Sequence, residues 1–245
     1  MAQLKQMPPV SVHPPALKQW GDIWKSAQGR SRNGEVRKKR PQSFDKAQGI
    51  EFGKIFDSAF GNSLATMLGE IPVVSPSANA LTPEGRDCVE VGNTRIIGGI
   101  RPQNYDAAYR PDGPRVVFDS KTLNDQKSIG KNWQNMVNDL ASEAATVHIR
   151  FPFCIVAFIV VVPAPALLDR QYRAIASTLE RLGSRRDELD QHHLAEAIAF
   201  VIWNPDSGEI RDLSTDWPSI SLSSMHQCIQ AAYLDRYQHL PPHIQ

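Results

Sequence analysis

A chain of 245 residues can bury about 70% of its unfolded surface in one core, so it needs no disulfide or metal staple to fold. Apolar residues make up 41% and charged residues 22%, with a net charge of +1, which excludes a collagenous, low-complexity or strongly polyionic chain. The three cysteines, Cys88, Cys154 and Cys228, are far apart and form no Cys-x-x-Cys pair, which excludes a zinc ribbon and a disulfide scaffold and points to a reducing cytoplasm.

The opening segment MAQLKQMPPVSVHPP has no apolar stretch of the kind a secretory signal uses. Residues 1–19 are polar and Pro-rich and read as an extended lead-in with poor order. Trp20 and Trp24 are four apart and predict a short anchoring helix. Residues 25–46 then carry eight Lys/Arg against Glu35 and Asp45, a net of +6, so the rest of the chain carries −5. A basic block on an acidic body is the charge pattern of phosphate binding, or of a solvated linker. Gln28 to Pro41 reads as a loop.

From Phe44 the pattern turns helical. Asp45 is placed to cap a helix in which Ile50, Phe52, Ile55, Phe56, Phe60, Leu64, Met67 and Leu68 recur at three and four, with a break expected near Gly61. Residues 71–86 read as an irregular connection. Val89–Val91 and Thr94–Ile100 read as strands around a Gly92-Asn93 turn. Asn104–Tyr109 and Arg115–Lys121 read as a β-hairpin closed by Pro111-Asp112-Gly113-Pro114.

Residues 126–147 predict an amphipathic helix with Ile129, Trp133, Met136, Val137, Leu140, Ala144 and Val147 on one stripe. Phe153–Val162 is apolar on both faces, like a central strand under helices. It is ten residues long and closed by Pro163, too short to cross a bilayer. A helix over 166–182, a buried strand over Ala197–Trp203 and a closing helix over Ser224–Tyr237 complete the order. Helix, three strands, helix, strand, helix, strand, helix predicts an α/β fold, a central mixed β-sheet flanked by helices. Residues 1–43 form an extended basic N-terminal arm and residues 44–245 one domain.

Among motifs, the Walker loop, the Gly-x-Gly-x-x-Gly turn and the Gly-x-Ser-x-Gly elbow are all absent from the sequence, which argues against nucleotide-triphosphate hydrolysis, Rossmann redox chemistry and α/β-hydrolase chemistry. The strand Val116–Lys121 does carry chemistry. Val117, Asp119 and Lys121 share one face, and Val116, Phe118 and Ser120 the other. Asp106, across the hairpin, brings a second carboxylate to the same end. Two carboxylates and a lysine suit metal-assisted phosphodiester hydrolysis. Carboxylate oxygens hold the hard cation Mg²⁺, and the lysine stabilises developing negative charge.

Asn104 to Lys121 resembles the active-site hairpin of the PD-(D/E)xK nucleases, the restriction-endonuclease-like superfamily, in which an Asp on one strand precedes (Asp/Glu)-x-Lys on the next. Here the second half is Asp119-Ser120-Lys121. For the first half Asp106 is preferred over Asp112. Asp112 matches the literal Pro-Asp but sits on the turn and leaves only six residues between itself and Asp119, whereas Asp106 leaves twelve. Asp125-Gln126-Lys127 is a second acidic-x-Lys triplet, at a helix start where Asp serves as an N-cap. The order helix, hairpin, amphipathic helix, buried strand over residues 44–203 decides between the two triplets.

The resemblance implies a restriction-endonuclease-like core and Mg²⁺ as cofactor, held by Asp106, Asp119 and, from the first helix, Glu51, with Glu70 a weaker alternative. Lys121 completes the catalytic set. It also implies a polar residue on the following helix, for which Gln134 is the candidate. Arg37, Lys38, Lys39 and Arg40 are the expected DNA-phosphate contacts. Tyr105, Tyr109, Arg101 and Arg110 flank the hairpin and fit DNA contact or edge packing equally. His192, His193, His226, His239 and His243 lack ligand spacing and read as solvated or core residues.

The implied activity is a Mg²⁺-dependent endonuclease on double-stranded DNA, a Type II restriction enzyme acting in the cytoplasm as a homodimer, with no membrane partner. The alternatives are a structure-specific repair, recombination or defence nuclease, and a non-catalytic DNA-binding protein on the same fold.

Overall fold

The computed structural model describes residues 3–30, 35–83, 85 and 87–243. Among the described residues five α-helices and eight strands follow in chain order: α1 (Pro14–Lys25), β1 (Gln28–Arg30), β2 (Val36–Lys38), α2 (Lys46–Met67), β3 (Val73–Val74), β4 (Val89–Ile97), β5 (Pro102–Tyr109), β6 (Val116–Thr122), α3 (Gln126–His148), β7 (Ile155–Pro163), α4 (Asp169–Leu182), β8 (Ala197–Trp203) and α5 (Leu222–Tyr237). Six strands form one mixed sheet in the order β3-β4-β5-β6-β7-β8. β4–β5 and β5–β6 are antiparallel, while β3–β4, β6–β7 and β7–β8 are parallel. The expected α/β architecture, a mixed sheet between helices, is present.

Helices cover both faces. Phe60 of α2 stacks on Phe118 of β6 at 4.0 Å between ring centroids. On the opposite face, Tyr172 of α4 stacks on Phe200 of β8. Every residue of β7 and of β8 is buried, as the apolar run of each requires. Burial of these side chains supplies the main driving force, at ~25 cal/mol per Å² of apolar surface. No described helix is long and apolar enough to cross a membrane.

Four local expectations change. The lead-in is ordered against the body: Met7 is fully buried, its N–H donates to Gln230 Oε1 at 2.8 Å, and Lys5 N–H donates to Met67 O at 2.8 Å. Its isolated apolar residues find a long-range groove that composition does not reveal. The expected loop at 28–41 contains the antiparallel hairpin β1–β2.

The other two changes involve glycines. Gly61 does not break α2. A Cβ there would lie 2.2 Å from Val91 Cγ2, so the glycine lets helix and sheet approach closely. Gly92-Asn93 is a bulge within one long β4, with Gly92 at φ 132° and the register shifting between Val91 and Thr94.

Candidate functional site

The site forms where β5 and β6 part. Their ladder pairs Ala107 with Phe118, Ala108 with Val117 and Tyr109 with Val116, and no further. One step beyond, the Ser120 N–H donates to the Asp106 carboxylate (Oδ2) at 3.0 Å. The carboxylate replaces a strand carbonyl as partner. It also places Asp106 beside Asp119, within reach to share a hydrogen bond. Lys121, two residues on and on the same face, donates to Asp119 Oδ2 and to Glu143 Oε1 of α3 at 2.9 Å. Asp119 is 6% exposed and Glu143 4%, so these charges lie largely out of water.

The electrostatics follow from that burial. Burial first, then the hydrogen bond and charge of Asp119, push Asp106 up to about 8. Burial and the charge of Asp106 raise Asp57, on α2, to about 7. Burial raises Asp119 to about 6, opposed by Asp106 and Lys121. Burial works against the Lys121 ammonium, yet Asp119 and Glu143 outweigh it and hold the pKa above its ordinary value. Apposed carboxyls with raised pKa values are a group short of positive charge. Asp57, Asp106, Asp119 and Ser120 line a cleft of about 690 Å³.

The donor set fits a hard divalent cation. It consists of oxygens, and Asp57 Oδ1 is buried without a hydrogen-bond partner. Among the described residues no three His, Cys, Asp or Glu side chains close in on one point. The Asp106–Asp119 pair supplies two carboxylates, and a cation that keeps several waters takes one or two.

The expected residues divide. Asp106, Asp119 and Lys121 come together. Asp112 lies apart on its turn, in a two-point pair with Arg115 at 2.9 and 2.6 Å. Glu51 does not join the cluster: its side chain is 57% exposed and pairs with Lys54 at 2.6 Å. On α2 the sheet-facing positions are Phe52, Gly53, Phe56, Asp57, Phe60 and Gly61, and Glu51 lies about 120° round the helix from Asp57. Glu70 is an exposed residue paired with Lys5 at 2.9 Å. Gln134 is exposed on α3, and the polar residue that α3 brings to the site is Glu143.

Asp57 and Glu143 were the residues missed. Each is an acid on the apolar stripe of its helix, Glu143 among Met136, Leu140, Ala144 and Val147, and a charge at a core-facing position is the informative exception.

The basic block also divides. Arg37 and Lys38 are exposed on β2 and wall a second cavity, of about 460 Å³, with Arg30. That cavity shares the wall residues Asp45, Lys46 and Ile50 with the carboxylate cleft, so the two are neighbours. Lys39 instead turns inward, donating to the carbonyls of Trp24 (3.2 Å), Ser26 and Ser43 (2.7 Å). Arg40 pairs with Asp125 at 2.5 Å, and Asp125 caps α3 with a capping box. Arg32 falls outside the described residues.

Of the flanking residues, Arg110 is buried against Glu90 at 2.5 and 2.8 Å. Tyr105 donates to Glu143 O at 2.8 Å, and Tyr109 to Asp87 at 3.2 Å. All three serve packing.

Compared with protein-family models, curated proteins and solved structures, the chain matches none.

Proposed function

We propose that the protein is a Mg²⁺-dependent endonuclease that hydrolyses phosphodiester bonds of double-stranded DNA, built on a restriction-endonuclease-like core and acting as a Type II site-specific enzyme. One observation carries the reading. Asp106, Asp119 and Lys121 converge where β5 and β6 part, and the two aspartates line a cleft that shares wall residues with a cavity lined by Arg37 and Lys38.

In this reading Asp106 and Asp119 hold the ion. When bound, Mg²⁺ supplies Lewis acidity that polarises the phosphodiester and eases deprotonation of the attacking water. Lys121 presents a permanent positive charge where negative charge develops on the phosphoryl group. Asp106 gives up its proton before it ligates, because its neutral form is favoured below about 8. Arg37 and Lys38 bind backbone phosphates, which positions the duplex without reading sequence. Cutting both strands of a palindrome takes two sites related by a two-fold axis, so the active species is a homodimer. The free cysteines suit work in the cytoplasm.

Supercoiled plasmid with and without Mg²⁺, read on a gel, tests the proposal. Discrete linear fragments that vanish with chelator are the expected result. A smear would replace site specificity with general nuclease activity. A mobility shift without cleavage at any divalent cation would make the protein a DNA binder and overturn the proposal.

A further inference from the structure

Lys121 has two anions within reach in the structure, and the proposed chemistry employs only one of them. Its ammonium donates to Asp119 on its own strand and to Glu143 Oε1 at 2.9 Å on α3. Glu143 is itself held from β5: Gln103 Nε2 donates to the same Oε1 at 3.1 Å, and Tyr105 fixes its backbone through the carbonyl at 2.8 Å. The other oxygen, Glu143 Oε2, is buried and accepts no hydrogen bond.

An unpartnered buried carboxylate oxygen is costly unless something takes it up. Asp119, meanwhile, faces a conflict. An ammonium bonded to Asp119 Oδ2 competes with a divalent cation for the same carboxylate. A lysine with a single anchor would have to be torn free and left with an unpaired buried charge.

We infer that Glu143 is a positioning residue, the second anchor that receives the Lys121 ammonium when Asp119 turns to a divalent cation. Oε2 then takes the N–H released from Asp119, so Lys121 stays charged, ordered and beside the cleft while the carboxylate changes partner. The inference rests on the reading of Asp106 and Asp119 as the cation site. Glu143 is not a ligand in this scheme. It acts through Lys121 alone.

The test is Mg²⁺ binding to the free protein by titration calorimetry, with no DNA and no turnover. Glu143→Asp keeps the charge but withdraws the carboxylate by one methylene. It should weaken Mg²⁺ binding roughly tenfold, a size typical of coupled neighbours in one network. Glu143→Gln should do the same. In a Lys121→Met background, where no ammonium needs an anchor, Glu143→Asp should change the affinity less than about twofold.

Unchanged affinity in Glu143→Asp together with a loss in Glu143→Gln would mean that Glu143 acts by charge alone, and would overturn the inference. Equal losses with and without Lys121 would overturn it as well. Failure of the underlying reading looks different: wild-type Mg²⁺ binding would be absent, or would survive Asp119→Asn unchanged. Since Glu143→Asp retains the buried negative charge, it also serves if Glu143→Gln does not fold.

Discussion

The Ser120 N–H donates to Asp106 Oδ2 at 3.0 Å, a side chain standing where the neighbouring strand would offer a carbonyl. This bond ends the β5–β6 ladder and sets Asp106 against Asp119. It favours the charged form of Asp106, but burial and Asp119 outweigh it. Burial and Asp119 raise Asp106 from 3.8 to about 8, so the folded chain holds this proton more tightly than the unfolded chain. Stability from this group is therefore lost as pH rises from about 4 through about 8.

Asp106→Asn keeps an acceptor for Ser120 and fixes the neutral form. Without divalent cation at pH 8 its Tm should exceed that of the wild type by roughly 2–6 °C. Cleavage should be abolished. Differential scanning calorimetry across pH 6–8.5 and a plasmid assay check the pair of outcomes. A variant that is less stable at every pH would refute the raised Asp106 carboxyl. Asp112→Asn, on the turn, should keep most activity.

Asp119→Asn and Lys121→Met should each reduce cleavage by at least about 10²-fold, the scale set by removing one preorganised charge from a reacting centre. Far-ultraviolet circular dichroism and DNA affinity should stay close to wild type, because neither side chain supports the sheet ladder. Cleavage at near wild-type rate by either variant would move the site elsewhere.

Asp57 and Glu51 offer a direct comparison on one helix. Asp57→Asn should lower Mg²⁺-dependent cleavage at least about tenfold, since its buried carboxyl faces the cleft with Asp106. Glu51→Gln should change it less than about twofold, as expected for an exposed i,i+3 ion pair of small worth. Rates measured against Mg²⁺ concentration separate the two.

Arg37 and Lys38 differ from their neighbours in sequence. Replacing both with Gln should lower the log–log salt slope of DNA binding by about 1.8 and leave kcat on saturating DNA unchanged. An unchanged slope would assign this hairpin to solvent. Lys39→Met should act on stability instead, because three carbonyls lose their shared donor. Thermal unfolding beside a filter-binding salt series distinguishes the roles.

A buried hub around Glu196, outside the cleft lining, loses its contribution in acid. Glu196 meets Arg185 at 2.6 Å, Arg236 at 2.8 Å and His148 at 3.3 Å, and accepts from Val156 N–H at 2.8 Å. Burial opposes its ionisation, but the hydrogen bond and charge of His148, then Arg236 and the Val156 N–H, hold it down at about 2. Its contribution is thus present above about 4.5 and lost as pH falls through about 2. Glu196→Gln leaves buried cations unpaired and should cost about 3–5 kcal/mol, read from urea denaturation.

Much of this protein was legible in its order of residues. The alternation Val116 to Lys121 marked a strand that leaves an apolar interior for a polar end, and the unbroken apolar runs marked β7 and β8. Asp125 was legible as a helix cap, so the second acidic-x-Lys triplet could be set aside. These features are periodic or local, and periodicity within one element already states which side is buried. Asp57 and Glu143 became site residues only when α2 and α3 laid their apolar stripes on opposite faces of the same sheet, since which strand end a helical acid meets depends on contacts distant in the chain. The same holds for the basic block. Charge counted Arg37 through Arg40 as equals, while the fold turned Lys39 onto three carbonyls and Arg40 onto a helix cap. A cation's role depends on what lies within about 4 Å of it, and that neighbourhood is a property of the tertiary structure.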